Sequence, residues 1–291
     1  MQIRELTLSD GRTLEVYTTD TVGSKAVVFH HGTPSCALTW ESWLRELEAD
    51  GISGIAYSRA GYSTSSRKAG RTVIDVNDDI AEVLDQYNVQ EFVAVGWSGG
   101  GPHALAASFD SRCRGIVVIA GVGEYGVDDL DFLAGMGEGN EIEFGAALKG
   151  AEVLDAWMAE NAPEFANATP DDFRQEGNSL ISPPDLAILR SSYAEEMADS
   201  TRQSMAKGYY GWMDDDLAFV LPWGFSVRDV NTPVHIWQGD QDLMVPAAHA
   251  QWLHKHLPMS ELHSAPGEGH LSITVSHRVQ IVHNIAGLLA V

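Results

Sequence analysis

Short strand-like runs alternate with longer stretches of helical periodicity through much of the chain. The strand-like runs lie at residues 26–30, 54–57, 92–96, 115–120, 233–238 and 261–264. Several are continuously apolar, as is typical of strands buried on both faces of a sheet. Their alternation with helices predicts an α/β fold with a mostly parallel sheet and helices on both faces. Residues 3–8 and 13–18 flank the turn signal Asp10-Gly11, which predicts an opening antiparallel hairpin.

The alternation stops between residues 123 and 230. This segment has an irregular helical pattern that proline interrupts at several positions. Strands and helices resume at residue 233 and continue to the end of the chain. The sequence therefore predicts an α/β domain made of residues 1–122 and 231–291, with residues 123–230 inserted as a helical unit.

Charge and hydropathy narrow the range of partners. The chain has 291 residues with 41 Asp and Glu against 18 Lys and Arg, a net charge of −23. An acidic surface repels phosphate groups, so we expect neither a nucleic acid nor an anionic membrane as a partner. The N-terminus lacks the apolar segment of a signal peptide, and no run reaches the roughly 18 apolar residues of a membrane span. Cys36 and Cys113 imply no disulfide framework, although a single bridge stays open, so we expect a cytoplasmic protein.

The most informative motif follows the predicted strand at 92–96. Residues 96–100 read Gly-Trp-Ser-Gly-Gly, which matches G-x-S-x-G, and a helical stretch follows from Pro102. In that context a strand ends, turns sharply and enters a helix, which leaves a strained serine at the carboxyl edge of the sheet. The flanking glycines make room for the turn. Ser98 is thus the predicted nucleophile.

A serine hydroxyl is a weak nucleophile at neutral pH, so it needs a base and a group that orients the base. Asp242 lies in a loop after the strand at 233–238 and is our choice for the acid, with Asp240 as its competitor. His270 follows the last strand in a loop that glycines flank. Most of the other histidines fall on predicted helices or inside a strand. His270 combines the loop position with the chain order serine, acid, histidine.

A fourth element follows the first buried strand, where residues 31–34 read His-Gly-Thr-Pro. A carbonyl attacked by Ser98 becomes an oxyanion, which two preorganised N–H donors must stabilise. We predict the N–H groups of Gly99 and Thr33 as these donors.

Together these motifs resemble those of an α/β-hydrolase with a helical cap. The resemblance rests on the oxyanion loop at 31–34, the nucleophile elbow at 96–100, the acid loop at 239–246 and the histidine loop at 267–270. Residues 58–63 resemble another loop of the family in weakened form, and we expect that loop to be structural. The resemblance covers residues 1–122 and 231–291, and it makes residues 123–230 the cap. A serine nucleophile separates the chain from the haloalkane dehalogenase and epoxide hydrolase branches, which use a carboxylate.

The predicted chemistry is acyl transfer. Ser98 attacks a carbonyl with His270 as base, Asp242 orients His270, and the N–H groups of Thr33 and Gly99 hold the oxyanion. Water then releases the acid, with no metal or cofactor. The first prediction is a carboxylesterase acting on a small-to-medium neutral ester. An aminopeptidase-like amide hydrolase, a noncatalytic ligand receptor, and a perhydrolase or carbon–carbon hydrolase on the same fold remain alternatives.

The cap is expected to select the substrate, because it covers the edge of the sheet that carries the triad. Aromatic and methionine side chains at helical spacing are more often packing than a binding wall. Even so, we predict that Tyr209, Trp212 and Met213 line an apolar substrate pocket together with Trp97. Residues 123–230 hold 22 acidic and 6 basic residues, so the small-molecule substrate should be neutral or cationic and not anionic.

Overall fold

The computed structural model describes residues 1–175 and 177–290. Its eight strands are β1 (Gln2–Thr7), β2 (Thr13–Thr18), β3 (Lys25–His30), β4 (Gly54–Tyr57), β5 (Glu91–Trp97), β6 (Cys113–Ile119), β7 (Val234–Gly239) and β8 (Ser260–Ala265). They form one sheet in the order β1-β2-β4-β3-β5-β6-β7-β8. The first two strands form the predicted antiparallel hairpin, and β2 also runs antiparallel to β4. All pairings from β4 to β8 are parallel, which confirms the predicted fold class.

Helices outside the insertion cover both faces of the sheet. They are α1 (Glu41–Ala49), α2 (Val76–Gln86), α3 (Gly100–Ala106), α10 (Ala247–His256), α11 (Ile273–Ser276) and α12 (Arg278–Ala290). Successive residues of β3 show how the two layers form. Ala26 and Val28 pack with residues of α2, α3 and α10, whereas Val27 and Phe29 pack with residues of α1 and α12. The continuously apolar strands are therefore buried on both sides.

Between β6 and β7 the described residues form six α-helices. These are α4 (Glu138–Ala147), α5 (Ala151–Ala166), α6 (Pro170–Phe173), α7 (Pro183–Leu189), α8 (Tyr193–Ser204) and α9 (Tyr210–Phe219). Side chains of α4, α5 and α9 form a small apolar cluster that also includes Tyr62 from the loop after β4. The helical character of the segment matches the prediction, and its status as a separate cap domain stays a prediction.

The last helical stretch of the chain is interrupted once. It is divided into α11 and α12, and His277 lies at the break with φ −108° and ψ 9°. The break leaves the covering of the sheet unchanged, because Ile273, Ile281 and Ile285 all reach the same apolar layer. None of the helices in the described part of the chain combines the length and hydrophobicity needed to cross a lipid bilayer.

Candidate active site

The turn between β5 and α3 holds Ser98 in a left-handed backbone conformation, with φ +56°. The backbone packs so tightly around this turn that residues 96 and 100 have no room for a side chain. A Cβ on Gly96 would lie 2.2 Å from the carbonyl oxygen of Gly100, and one on Gly100 would lie 2.1 Å from the carbonyl oxygen of His30. Glycine is therefore required at both positions, and the turn presents Ser98 at the carboxyl edge of the sheet.

The loops after β7 and β8 bring Asp242 and His270 together. His270 Nδ1 lies 2.8 Å from Asp242 Oδ2, and both side chains are buried. The other oxygen of Asp242 accepts the backbone N–H groups of Met244 and Val245 at 2.9 and 2.8 Å. Gln238 donates to Asp242 Oδ2 at 3.2 Å. These contacts hold the carboxylate where it fixes the orientation of the imidazole.

Asp240, the competing acid, has a different position. Its Oδ1 accepts the backbone N–H of Gly267 at 2.8 Å, which ties the acid loop to the start of the histidine loop. Of the two acids, Asp242 is the one that contacts the imidazole of His270.

The environment of His270 acts on its basicity in two directions. Burial of the imidazole lowers its pKa, because the charged form loses its hydration. The negative charge of Asp242 and its hydrogen bond raise the pKa, and Asp185 adds to this effect. The carboxylates outweigh burial, so the pKa of His270 lies above its ordinary value.

Trp97 links the nucleophile turn to the histidine loop. Its indole Nε1 donates to the backbone oxygen of His270 at 3.2 Å, and the two rings lie 5.3 Å apart. Among the described residues, the Ser98 hydroxyl and the His270 imidazole are not hydrogen-bonded to each other. Such bonds are often long before substrate binds.

The loop after β3 lies against the nucleophile turn. A Cβ on Gly32 would lie 3.4 Å from Ser98 Cβ, and one on Gly99 would lie 2.5 Å from Thr33 Oγ1. Neither the N–H of Thr33 nor that of Gly99 donates to another residue in the described part of the chain. The structure thus brings Thr33 and Gly99, the two predicted oxyanion residues, next to each other, and the backbone N–H of each is without an acceptor among the described residues.

A buried ion pair holds this loop in place. Arg59 donates to the backbone oxygens of His31 and Gly32 and to Asp215 of α9. The Thr33 hydroxyl donates to the same Asp215 carboxylate at 2.7 Å. Two arginines, through their charges, outweigh burial and hold the pKa of Asp215 well below its ordinary value. The loop at 58–63, expected to be structural, therefore supports Thr33 through Arg59.

A small cavity of about 50 Å³ opens at Ser98. Its walls are Thr33, Ser98, Gly99, Val122, Asn140, Glu143, Phe144, Asp216, Phe219, Met244 and Val245. The wall mixes apolar and polar side chains, and α4 and α9 supply the two acidic members, Glu143 and Asp216.

The aromatic residues predicted to line this cavity lie elsewhere. Trp212 is fully buried between Trp157 and Phe165, and Met213 packs in the same cluster. The Tyr209 hydroxyl donates to Asp155 at 3.0 Å. These side chains face other helices of the insertion because the apolar layer between α5 and α9 takes up their bulk. Trp97 lines a second cavity of about 200 Å³, bordered by Trp43 of α1 and Tyr193 of α8.

Three acidic residues near the site were absent from the sequence-based candidates. Asp185 of α7 is fully buried and accepts backbone N–H groups of the histidine loop. Glu143 and Asp216 line the cavity at Ser98. The run Asp214-Asp215-Asp216 was a possible signal, since three consecutive acids on one short helix cannot all face solvent when the helix is buried.

The sequence model of the alpha/beta hydrolase fold family matches residues 25–275. A non-heme haloperoxidase from Rhodococcus erythropolis is 24% identical over 249 residues, which are 84% of each chain. Among solved structures, an esterase from Rhodococcus sp. ECU1013 has a TM-score of 0.72 at 19% identity, covering 99% of this chain and 98% of the esterase. An enol-lactonase from Burkholderia xenovorans LB400 also has a TM-score of 0.72, at 12% identity, covering 99% of this chain and all of the lactonase.

Proposed function

Because the chain belongs to the α/β-hydrolase fold family, we propose that it is a serine hydrolase that cleaves a carboxylic ester through an acyl-enzyme on Ser98. One observation carries this proposal. The contact of 2.8 Å between Asp242 and His270 lies at the same sheet edge as a strained serine, beside two unpaired N–H groups. Nucleophile, base, orienting acid and oxyanion donors are the parts that acyl transfer requires.

In the first half of the reaction, Ser98 Oγ attacks the ester carbonyl carbon and its proton passes to His270 Nε2. Asp242 accepts the Nδ1–H and stabilises the imidazolium. The negative oxygen of the tetrahedral intermediate accepts the N–H groups of Thr33 and Gly99. The C–O bond then breaks, and the alcohol leaves with the proton from His270.

In the second half, water attacks the acyl-enzyme while His270 takes one of its protons. The tetrahedral intermediate collapses, the carboxylic acid leaves, and Ser98 regains its proton from His270. Because only the neutral imidazole can take a proton, the raised pKa of His270 places the acidic limb of the activity profile above the ordinary value for histidine.

The site also bears on the substrate. A cavity of about 50 Å³ whose wall mixes apolar and polar side chains favours the small end of the expected small-to-medium esters. We assign residues 123–230 as the cap, since α4 and α9 close this cavity with Glu143 and Asp216. Two carboxyl groups in the wall disfavour an anionic substrate, which leaves neutral and cationic esters.

The test is an activity panel on the purified chain. We expect turnover of nitrophenyl esters that declines as the acyl chain lengthens, and weaker or no turnover of aminoacyl nitroanilides. Ser98→Ala should abolish ester turnover, and a fluorophosphonate probe should label Ser98. Wild-type turnover by Ser98→Ala, or labelling of another serine, would contradict the proposal.

Perhydrolysis is the second candidate, because the 24% identical relative is named a non-heme haloperoxidase. The same acyl-enzyme would be attacked by hydrogen peroxide in place of water, giving a peracid. Peracid formation from acetate esters and peroxide, at a rate above that of ester hydrolysis, would favour this activity over the first.

A further inference from the structure

Helix α9 carries three consecutive aspartates, Asp214-Asp215-Asp216, and all three are buried. A buried carboxylate is costly unless a cation or several hydrogen bonds compensate for its lost hydration. The partners of each aspartate therefore show what the fold provides for it.

The first two aspartates are paired with arginines from the loop after β4. Asp214 accepts two hydrogen bonds of 2.8 Å from Arg67. Asp215 accepts from Arg59 and Arg71, both at 2.5 Å, and from the Tyr62 hydroxyl at 2.8 Å. The charge of each is thus matched inside the protein.

Asp216 has no such partner. Its side chain is 0% exposed, and neither carboxylate oxygen accepts a hydrogen bond from an N–H or hydroxyl group of the described residues. Its neighbour is the carboxyl group of Glu143. The side chain lines the cavity at Ser98, together with Thr33 and Gly99. A buried acid beside the proposed nucleophile, with no cation and no N–H or hydroxyl donor to offset its charge, is a feature that packing alone does not explain.

Glu143 of α4 lines the same cavity and is held in place. Its Oε1 accepts the indole N–H of Trp212 at 2.7 Å, which is the role the structure gives to that buried tryptophan. Burial raises the pKa of Asp216, and both the nearby charge of Glu143 and a hydrogen bond between the two carboxyl groups raise it further. Burial also raises the pKa of Glu143. A hydrogen bond between two carboxyl groups requires a proton on one of them, and a bound cation would take the place of that proton.

We infer that Glu143 and Asp216 form a subsite for an ammonium group of the substrate, so that the preferred ester is cationic. The inference rests on the proposed function. Of the neutral and cationic esters that function allows, it selects those that carry a primary amine. An ammonium group offers three N–H donors, which match the two oxygens of Asp216 and the second oxygen of Glu143. The apolar side chains Phe144 and Phe219 line the same cavity and exclude water, which strengthens the attraction.

A divalent metal fits the pair less well. Hard cations take six or more oxygen ligands, whereas this cavity offers two carboxylates and Asn140, whose amide donates to the backbone oxygen of Met244. In the described part of the chain, the group of three metal-ligating side chains within reach of one another is His235, Glu261 and His263, on β7 and β8.

The test compares amine esters with neutral esters of the same shape. The pairs are methyl alaninate with methyl isobutanoate, ethyl 3-aminopropanoate with ethyl butanoate, and 3-aminopropyl acetate with butyl acetate. Together they place the ammonium at three positions around the carbonyl. We expect kcat/KM for one amine ester to exceed that of its neutral partner by at least about tenfold, since a buried charge pair contributes more than 1.4 kcal/mol.

Two variants locate the effect. Asp216→Asn and Glu143→Gln keep the shape of each side chain and should bring the amine-to-neutral ratio of kcat/KM close to one. Asp214→Asn is the matched control, because it removes an equally buried aspartate of α9 that Arg67 already pairs and that does not line the cavity. That control should keep the ratio of the unchanged protein.

A binding measurement separates this inference from the proposed function. Butylammonium chloride should raise the melting temperature of the unchanged protein and of Ser98→Ala, but not that of Asp216→Asn. If the protein hydrolyses neutral esters and every amine-to-neutral ratio of kcat/KM is one or less, the subsite is contradicted and the serine hydrolase is still supported. Absence of all ester turnover, with butylammonium stabilisation that requires Asp216, would overturn the hydrolase and keep the subsite. Stabilisation by magnesium or zinc chloride but not by butylammonium would also overturn the subsite.

Discussion

Asp185 accepts the backbone N–H of His270 at 3.0 Å, so a buried acid of helix α7 holds the loop that carries the proposed base. The same carboxylate accepts the N–H groups of Leu271 and Ser272, both at 2.8 Å. Ser182 donates to it as well, at 2.8 Å. A Cβ on Gly269 would lie 2.3 Å from Asp185 Oδ2, so glycine lets the two segments approach this closely. The insertion thus helps to set the position of the imidazole.

Asp185→Asn should lower kcat for esters by about tenfold to a hundredfold, because an amide cannot accept all of these hydrogen bonds and misplacement of a catalytic group is costly. Removing a negative charge near His270 should also lower its pKa, so the acidic limb of the activity profile should move to lower pH. A purely structural role would reduce activity without moving the limb. Asp171→Asn, at an exposed acid of α6, should leave both rate and profile unchanged.

Asp242→Asn should reduce kcat by about 10⁴-fold, because an asparagine favours the wrong tautomer of the histidine. Asp240→Asn should cost less than about tenfold, since Asp240 contacts the backbone of Gly267 and not the imidazole. Steady-state kinetics with a nitrophenyl ester distinguish the two acids. Similar losses in both variants would return Asp240 to consideration.

Gly100→Ala should destabilise the fold by several kcal/mol or prevent folding, because its Cβ would lie 2.1 Å from a backbone oxygen of β3, which cannot move cheaply. Gly145→Ala is the matched control. Gly145 lies inside α4 with no atom within 4 Å of the added Cβ, so alanine should stabilise the helix by about 0.5–1 kcal/mol. Urea unfolding measures both free energies, and equal effects would contradict the tight-turn explanation.

Protonation of buried histidines should destabilise the protein in acid. His249 Nδ1 accepts the N–H of Gly123, and its Nε2 lies 2.9 Å from the backbone oxygen of Phe132, so the ring is neutral in the fold. Burial lowers its pKa from 6.5 to about 4. Between these values the unfolded chain binds a proton that the folded chain does not, so stability is full above pH 6.5 and falls as the pH drops toward 4.

This linkage predicts a slope in urea unfolding experiments between pH 6 and pH 4.5. His249→Gln should reduce the change of unfolding free energy with pH by up to about 1.4 kcal/mol per unit, because one such proton is no longer taken up on unfolding. The raised pKa values of Glu143 and Asp216 make the free energy of unfolding change with pH in the opposite direction. The slope of the variant is therefore compared with that of the unchanged protein and not with a slope of zero. The same change at the exposed His283 should leave the slope as it is, and an identical slope for His249→Gln would refute the prediction.

Local signals in the sequence predicted the sheet and the turn at Ser98 well. Runs buried on both faces, the Asp10-Gly11 turn and the glycines at 96 and 100 depend on interactions between residues near one another in sequence. The order of Ser98, Asp242 and His270 followed from the strands that precede each of them, because parallel strands end at one edge of the sheet. These inferences needed no knowledge of how the helices pack.

The side-chain contacts of the insertion could not be predicted in this way, because the composition of a helix does not say which neighbouring element each of its faces contacts. Trp212 was expected in the substrate pocket, yet the structure places it behind Glu143, to which it donates. By itself the sequence determined the fold class, through short-range patterns, and it predicted Ser98, Asp242 and His270 as the triad. Only the tertiary structure decided that Asp185 holds the histidine loop and that Asp216 meets Glu143 at the cavity without a cation, because both depend on contacts between segments far apart in the chain.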